Sequence, residues 1–351
     1  MKKYYTRACN FYYGPISKSL VKKKLALPLC GNINISFDKV EIFIRNKDKI
    51  FSKILNLKEI KTQNLILKKK IKNDLKKITA KRINFNSPVI MGVLNMTPDS
   101  FSDGGKFNST HKAFKQIDSM IKSGAHIVDV GGESTRPGSK TILPKQEWNR
   151  IKNIVTVFKN IYPKSMLSID TRKSEIMKKA LHYKVDIIND VSSFNFDPNS
   201  LPQVENLNVW KVIHHMKGTP KTMQINPKYK NVLLDIYDFF EDKINNQLKD
   251  KKYSKKIIID PGIGFGKTLK HNLMLMNKIS LFHSLGFPIL IGTSRKRFIS
   301  QISGVFDTKE RIGGTLSSVL FMLSQGVQLF RVHKVKEVKQ GILVYKKLLD
   351  Q

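Results

Sequence analysis

Several short apolar segments of the sequence each end in polar side chains of the kinds that bind small molecules. Carboxylates and carboxamides provide fixed acceptors and donors, which suit a flat polar heterocycle. Arginine and histidine suit a phosphate or diphosphate. We therefore predict a site for one heterocycle that carries a diphosphate arm. The residues at these segment ends include Asn95, Asp129, Asp170, Asn189, His214, Asp260, Lys296, Arg331 and His333.

Two glycine-rich segments and one asparagine add detail to this prediction. The glycines of residues 131–138 and 260–266 let a ligand approach the backbone closely. Arg136, inside the first of these segments, provides a further cation for phosphate oxygens. Asn95 offers an amide oxygen to a hard cation such as Mg²⁺, which keeps several waters and bridges substrate phosphates. Asn95 is therefore a candidate magnesium ligand.

These polar positions require a scaffold that gathers the ends of many strands. From Pro88 onward, apolar strand-like segments alternate with helical patterns, which predicts about eight βα units. This number matches a TIM (β/α)₈ barrel of about 250 residues, in which the carboxyl ends of all strands share one face. A doubly wound open sheet is the alternative, although no G-x-G-x-x-G motif follows a strand. The predicted strands are Val89–Leu94, His126–Val130, Met166–Asp170, Asp186–Asn189, Val209–His214, Lys256–Asp260, Pro288–Ile291 and Gln328–Val332.

The first quarter of the chain has a different pattern. Ile33–Phe37 and Val40–Ile44 are predicted as two short strands joined near Asp38, and residues 51–83 as one or two lysine-rich amphipathic helices. We therefore predict a small basic α+β module in residues 1–86, followed by the barrel in residues 87–351. The sequence assigns no role to this module.

The composition restricts the class of protein. The chain has 63 basic and 27 acidic side chains, a formal charge of +36, and the excess is mostly scattered lysine. Such a surface favours anionic substrates and does not by itself indicate nucleic-acid binding. No apolar segment is long enough to span a membrane, and Cys9 and Cys30 fit neither a zinc pattern nor a disulfide framework. We expect a cytoplasmic protein without a membrane or nucleic-acid partner.

Seven segments together resemble the motifs of the dihydropteroate synthases, a pterin-binding enzyme family, in the expected order. The resemblance implies a transferase of folate and tetrahydrofolate biosynthesis. It would condense 4-aminobenzoate with (7,8-dihydropterin-6-yl)methyl diphosphate to give 7,8-dihydropteroate and diphosphate. It also implies dependence on Mg²⁺, a homodimer and a target of sulfonamides. The segments are Leu94–Gly105, Asp129–Gly138, Ser168–Thr171, Ile188–Val191, Asp260–Lys267, Ser294–Lys296 and Arg331–His333.

The same resemblance implies roles for single residues. Asn95 would bind Mg²⁺ together with the diphosphate. The pterin would be held by Asp170, Asn189, Asp260 and Lys296. The diphosphate would be held by Thr135, Arg136, Arg331 and His333. The 4-aminobenzoate site would be closed by the loops that hold Phe101, Arg136 and Pro137. The catalytic residues would be Asp260, Lys296, Arg331 and His333.

Two residues depart from the family pattern. Arg297 follows Lys296 where a small hydroxyl residue is common near the aminobenzoate carboxylate. Arginine can pair with a carboxylate, so binding is expected to persist in this region with altered sulfonamide sensitivity. Lys334 stands where aspartate is frequent. Both departures concern the affinity of the site for its substrates.

Two other functions are open at this stage. A pterin-binding methyltransferase on the same barrel would share the Asp and Asn contacts, but it would not need Arg331, His333 or the long loop of Arg136. A non-catalytic protein that binds nucleic acid through residues 1–86 would depend on the basic charge of the module.

Overall fold

The computed structural model of the chain describes residues 2–82, 85, 88–97, 106–135, 138–248 and 252–350, without the side chains of residues 106–109. The strands in these ranges form two sheets, one antiparallel with four strands and one parallel with eight. No helix in these ranges has the length and apolar character that a bilayer span requires.

The antiparallel sheet lies in the N-terminal module. Its strands are β1 (Lys2–Tyr13), β2 (Leu27–Leu29), β3 (Asn32–Asn46) and β4 (Lys49–Asn56). The long strand β3 pairs with β1 along one edge and with β2 and β4 along the other. The module also contains helices α1 (Gly14–Lys22) and α2 (Leu65–Thr79) and a 3₁₀ segment, Leu57–Thr62.

Two predictions for this module are wrong. Ile33–Phe37 and Val40–Ile44 belong to one strand, β3, because β1 pairs with both halves. Asp38 lies between the two halves, and its Oδ1 accepts from Asn10 Nδ2 of β1 at 2.7 Å. The neighbouring strand therefore binds this polar side chain within the sheet. Residues 51–56 form most of β4 and not a helix, because their backbone pairs along β3.

The parallel sheet closes into a barrel. Its strands are β5 (Val89–Asn95), β6 (Ile127–Gly131), β7 (Met166–Asp170), β8 (Ile187–Asp190), β9 (Trp210–His214), β10 (Ile257–Asp260), β11 (Leu290–Ile291) and β12 (Leu329–Val332). They are hydrogen-bonded in the order β10-β9-β8-β7-β6-β5-β12-β11. A parallel bridge between Ile259 and Ile289 joins the two ends of this row. This closure confirms the predicted (β/α)₈ barrel and excludes the open sheet.

Helices surround the barrel and return the chain from the end of each strand to the start of the next. They are α3 (Lys106–Lys122), α4 (Pro144–Val155), α5 (Phe158–Ile161), α6 (Ser174–Leu181), α7 (Ser200–Val204), α8 (Val232–Lys243), α9 (Leu269–Asn277), α10 (Arg297–Ser303), α11 (Ile312–Leu323) and α12 (Val335–Leu349). A π-helical segment, Ile244–Leu248, extends α8, and a 3₁₀ segment, Ile279–Leu285, follows α9.

The inside of the barrel is apolar at one end and polar at the other. Branched and aromatic residues fill the amino ends of the strands, where the rings of Phe85 and Trp210 lie 4.7 Å apart. Asp129, Asn189 and Asp260 are buried near the carboxyl ends. We call the carboxyl end the rim. Polar side chains are therefore concentrated at the end where barrel enzymes bind their substrates.

The N-terminal module packs along one side of the barrel. Arg45, near the end of β3, donates to Asp235 and Asp238 of α8 at 2.5 and 2.8 Å. At the opposite end of the barrel, Arg82 Nη2 donates to the carbonyl of His283 at 3.1 Å. Because α8 begins on the rim side, the module spans most of the height of the barrel.

Candidate active site

An ion-paired cluster lies at the rim where β6, β7 and β12 end. Arg331 Nε donates to Asp129 Oδ2 at 2.7 Å, and Arg331 Nη2 donates to Asp170 Oδ2 at 2.8 Å. Asn189 Nδ2 donates to Asp129 Oδ2 at 3.2 Å, and Ser168 Oγ donates to Asp129 Oδ1 at 2.5 Å. Asp170, Asn189 and Arg331, which have predicted roles, thus meet around Asp129. Asp129 was predicted at a strand end but without a role of its own.

The charges of this cluster depend on one another. Burial raises the pKa of Asp170 to about 7, and Asp129 adds to this rise while the Arg331 guanidinium opposes it. Burial lowers the pKa of Arg331, but Asp129 and Asp170 outweigh burial and hold it above its usual value. Arg331 therefore remains a cation. Its Nη1 makes no hydrogen bond within the described residues, so its two N–H groups are available to an anion.

Asp260 and Lys296 lie on the neighbouring part of the rim. Asp260 is 5% exposed, its Oδ1 accepts from the Gly262 N–H at 2.8 Å, and burial raises its pKa to about 6. The Lys296 ammonium lies 3.8 Å from the centre of the Phe265 ring. Burial, together with the charge of Arg331, lowers the pKa of Lys296 to about 7. A carboxylate and an ammonium with unusual pKa values thus lie in the same partly desolvated region of the rim.

The loops after β9 and β10 support this part of the rim. Gln224 Nε2 donates to the Gly264 carbonyl at 2.5 Å, and the Tyr229 hydroxyl donates to the Gly266 carbonyl at 2.8 Å. Gly264 has a φ of +84°, and a Cβ there would lie 3.1 Å from Lys296 Cδ. This glycine therefore gives the lysine side chain its room beside the backbone.

The remaining predicted residues occupy the same end of the barrel. The His333 Nδ1 lies 3.0 Å from Ser294 Oγ. Thr135 is half-buried in the loop after β6, and Arg297 is exposed at the start of α10. Lys334 is exposed. Phe101, Arg136 and Pro137 lie outside the described residues.

Asn95 is a suitable position for one ligand of a cation. It ends β5 beside Gly131 and is half-buried, and within the described residues its side chain makes no hydrogen bond. An amide oxygen of this kind is a ligand that Mg²⁺ accepts. The described residues contain no group of three or more His, Cys, Asp or Glu side chains that could bind a metal ion alone. Other ligands would have to be phosphate oxygens and water.

The sequence did not predict a buried charge network beside the rim. Glu133 accepts from Arg172 Nε at 2.9 Å and from Lys173 Nζ at 3.0 Å, and Lys173 Nζ also donates to Glu147 Oε2 at 2.5 Å. Glu133 also accepts from the Ile142 N–H at 3.0 Å. The network thus ties the loop after β6, which contains Thr135, to the end of β7 and to α4.

We expect Lys173→Met to destabilise the protein by about 3–5 kcal/mol, because Glu133 and Glu147 lose a buried cationic partner. The free energy of unfolding in urea measures this change. Lys179→Met is the matched control, since Lys179 pairs at 2.6 Å with Glu175 on the exposed face of α6. That control should change stability by less than about 1 kcal/mol. Equal effects of the two substitutions would contradict the structural role of Lys173.

Comparison with known proteins extends these observations. The sequence profile described as "Pterin binding enzyme" matches residues 91–333. Dihydropteroate synthase of Escherichia coli K12 is 37% identical over 268 residues, covering 76% of this chain and 94% of the relative. Dihydropteroate synthase of Bacillus subtilis is 37% identical over 252 residues, covering 71% and 85%.

Solved structures give the same picture. The dihydropteroate synthase of Yersinia pestis, in a sulfonamide drug complex, superposes with a TM-score of 0.72 at 33% identity, covering 77% of this chain and 97% of that one. The Xanthomonas albilineans synthase with 4-aminobenzoic acid gives a TM-score of 0.70 at 31% identity, covering 77% and 96%. The profile match begins in β5, after the N-terminal module.

Proposed function

The chain belongs to the dihydropteroate synthases of the pterin-binding enzyme family, and on this premise we propose that the rim described above is the active site. The enzyme is a transferase of folate biosynthesis that condenses 4-aminobenzoate with (7,8-dihydropterin-6-yl)methyl diphosphate. The observation that carries the site assignment is the cluster of Arg331 with Asp129 and Asp170. It combines Asp170, a carboxylate assigned to the pterin, with a cation for the leaving group at one end of the barrel.

The pterin is held by Asp170, Asn189, Asp260 and Lys296 in this proposal. A carboxylate such as Asp260 offers two acceptors to the N–H and amino groups along one edge of the ring. Lys296 provides its ammonium N–H groups as donors to the ring, and because its pKa is lowered to about 7 this ammonium is lost near neutral pH. As the bond between the methylene carbon and the diphosphate oxygen breaks, positive charge develops on the pterin, and ionised Asp260 stabilises it.

The diphosphate is held by Thr135, Arg136, Arg331 and His333. Arg331 already uses Nε and Nη2 in its ion pairs, so Nη1 is the atom that we assign to a phosphate oxygen. Asn95 would hold Mg²⁺ together with the diphosphate, and the ion would supply positive charge to neutralise that group. This cofactor assignment rests on the half-buried amide of Asn95 at the end of β5.

The 4-aminobenzoate lies in the region of Phe101, Arg136, Pro137 and Arg297. Arg297 is exposed at the rim, where its guanidinium can pair with the carboxylate of the substrate. The aryl amine attacks the methylene carbon, the new C–N bond replaces the broken C–O bond, and the amine proton passes to solvent. Because the amine is weakly basic, correct positioning contributes more than a strong base would.

The test is release of diphosphate from the pterin diphosphate, measured with and without 4-aminobenzoate. Release that requires 4-aminobenzoate, with formation of 7,8-dihydropteroate, supports the proposal. The alternative, a pterin-binding methyltransferase, would instead use methyltetrahydrofolate as its substrate. The potential phosphate contacts of Arg331 and His333 favour the synthase, because a methyl transfer releases no diphosphate.

The rate should depend on pH through Asp260 and Lys296. The pKa of Asp260 is raised from 3.8 to about 6, so its carboxylate is lost as the pH falls through 6. The pKa of Lys296 is lowered from 10.5 to about 7, so its ammonium is lost as the pH rises through 7. The pH dependence of kcat/KM reports the pKa values of essential groups in the free enzyme. A plot of kcat/KM against pH should therefore peak between these two values. Lys296→Met should remove the alkaline limb and retain the acid limb. A flat wild-type profile across this range would contradict the assignment.

We also propose the organisation of the chain around this site. Residues 1–86 form the N-terminal module and residues 87–351 the pterin-binding barrel. A homodimer is supported by the exposed apolar side chains on the outer helices α11 and α12, and sedimentation velocity tests it. A cytoplasmic location is supported by the free cysteines Cys9 and Cys30. The exposed residues on these helices are Phe321, Leu343, Val344 and Leu348.

A further inference from the structure

A cavity of about 650 Å³ lies between the N-terminal module and the barrel, away from the rim. This volume is within the range of small-molecule sites, about 300–1,000 Å³. Pro88, just before β5, lines the cavity, whereas Asn95 ends the same strand at the rim. At about 3.3 Å per residue, the two places are roughly 20 Å apart. The cavity is therefore separate from the proposed active site.

The wall of the cavity contains a buried cation without an acidic partner. Arg82 is 4% exposed, and its guanidinium donates to the carbonyls of Lys77, Ala80 and His283 at 2.8–3.1 Å. Within the described residues it pairs with no carboxylate, and its Nε has no acceptor. A buried charge that is balanced only by carbonyl dipoles favours an anion nearby.

The wall of the cavity also contains other positively charged side chains. Lys18, Lys81 and Lys346 also line the cavity, and Asp350 is the one acidic side chain among the described lining residues. Helix α1, nine residues long, begins at this wall with Gly14. It has no capping side chain and no acidic residue in its first turn, but the Leu349 carbonyl at the end of α12 lies against Gly14, so this helix end adds little to the positive charge of the wall.

Part of the remaining wall is apolar, and Asn32, Asn34, Ser324 and Gln328 are among its polar residues. Leu29 and Ile35 come from the module, Phe85 from the connection, and Leu323 from α11. We propose that this cavity is a second ligand site, which binds a small organic anion with an aromatic or apolar body and a carboxylate or similar acidic group. The apolar part of the wall accepts the body, and the cationic side chains of Lys18, Lys81 and Lys346, with Arg82 behind them, accept the charge. The proposal does not depend on the reaction at the rim.

Cys30 gives the experiment a local reporter, because it lines the cavity, whereas Cys9 is buried elsewhere in the module. The probe is naphthalene-1-sulfonate, and neutral 1-naphthalenemethanol is its uncharged match. Alkylation of Cys30 by N-ethylmaleimide in the full-length protein is followed by peptide mass spectrometry. We expect the sulfonate to slow alkylation of Cys30 by about tenfold at saturation, and the alcohol to have much less effect at the same concentration.

Two charge-reversed variants locate the binding site. Lys18→Glu combined with Lys346→Glu places two carboxylates in the wall without changing Arg82. We expect this variant to bind the sulfonate at least about fivefold more weakly by calorimetry and to lose protection of Cys30. Lys22→Glu combined with Lys336→Glu is the matched control. It makes the same change of charge on exposed positions of the same two helices, outside the cavity lining, and should resemble the wild type.

Three results would overturn the proposal. The first is the absence of Cys30 protection by the sulfonate at millimolar concentration. The second is equal protection by the neutral alcohol, which would show an apolar void without selectivity for anions. The third is an equal loss of binding in both charge-reversed variants, which would show a general effect of surface charge.

Discussion

Asp260→Asn is expected to lower kcat/KM for the pterin diphosphate by about 10³-fold while the barrel stays folded. Asparagine retains the shape of the side chain and can still accept the Gly262 N–H bond, which measures 2.8 Å in the wild type. It cannot provide the negative charge that stabilises a developing pterin cation. Steady-state release of diphosphate in the presence of 4-aminobenzoate measures the loss.

The same substitution has a second effect, on stability, with the opposite sign. Burial raises the pKa of Asp260 from 3.8 to about 6, so the ionised side chain opposes folding above pH 6. The stabilising contribution of the protonated form is complete below pH 4 and is lost as the pH rises through 6. Asp260→Asn removes this dependence. Above pH 7 we therefore expect an unfolding free energy equal to or higher than that of the wild type, by at most about 3 kcal/mol.

Asp190→Asn is a suitable control for Asp260→Asn. Asp190 is also fully buried with its pKa raised to about 6 by burial, but its oxygens accept from Ser192 and from the Phe194 N–H. Its role is therefore to hold the loop after β8. We expect a loss of stability with kcat/KM of the folded enzyme within about tenfold of wild type. Loss of turnover in Asp190→Asn, but not in Asp260→Asn, would refute our assignment.

The barrel could be predicted from sequence because its strands are buried on both faces and read as continuous apolar runs. Met166–Asp170 matches β7, and the other seven predicted strands differ from the observed ones by one or two residues at an end. Polar residues that follow such runs must share one end of a barrel. That rule predicted Asp170, Asn189 and Arg331 as neighbours, which their contacts around Asp129 confirm.

Other features could not be predicted because they depend on pairing between distant segments. β3 is one long strand only because β1 supplies partners from 22 residues away (Tyr13 with Ile35) to 44 residues away (Lys2 with Asn46). In the same way, Lys173 belongs to no recognisable sequence motif. Its burial between Glu133 and Glu147 results from the packing of α4 on the barrel. The cavity beside Arg82 forms where the N-terminal module packs against the barrel, and no local sequence pattern predicts this contact.

Arg331→Met is expected to lower both turnover and stability. Asp129 and Asp170 would lose the guanidinium that now lies 2.7 and 2.8 Å from their oxygens, and both carboxylates are buried or nearly so. Breaking such a pair costs about 3–5 kcal/mol of stability. The diphosphate would also lose a cation, which we expect to lower kcat/KM by about 10²–10³-fold. Urea unfolding and diphosphate release measure the two effects.

A compensated variant separates the two roles of Arg331. In Arg331→Met combined with Asp129→Asn and Asp170→Asn, the cluster carries no charge, so no carboxylate remains without a partner. Stability should recover to within about 2 kcal/mol of the wild type, while kcat/KM stays low because the phosphate contact of Arg331 and the pterin contact of the Asp170 carboxylate are both missing. Asp129→Asn combined with Asp170→Asn, which retains Arg331, measures the part of this loss that belongs to the aspartates. Arg331→Lys retains the positive charge but lacks the planar fork that reaches both aspartates and still presents Nη1, so it should show intermediate loss of both properties. If the compensated variant regained activity together with stability, Arg331 would act only as a structural partner of the two aspartates, and the diphosphate would have to be bound elsewhere on the rim.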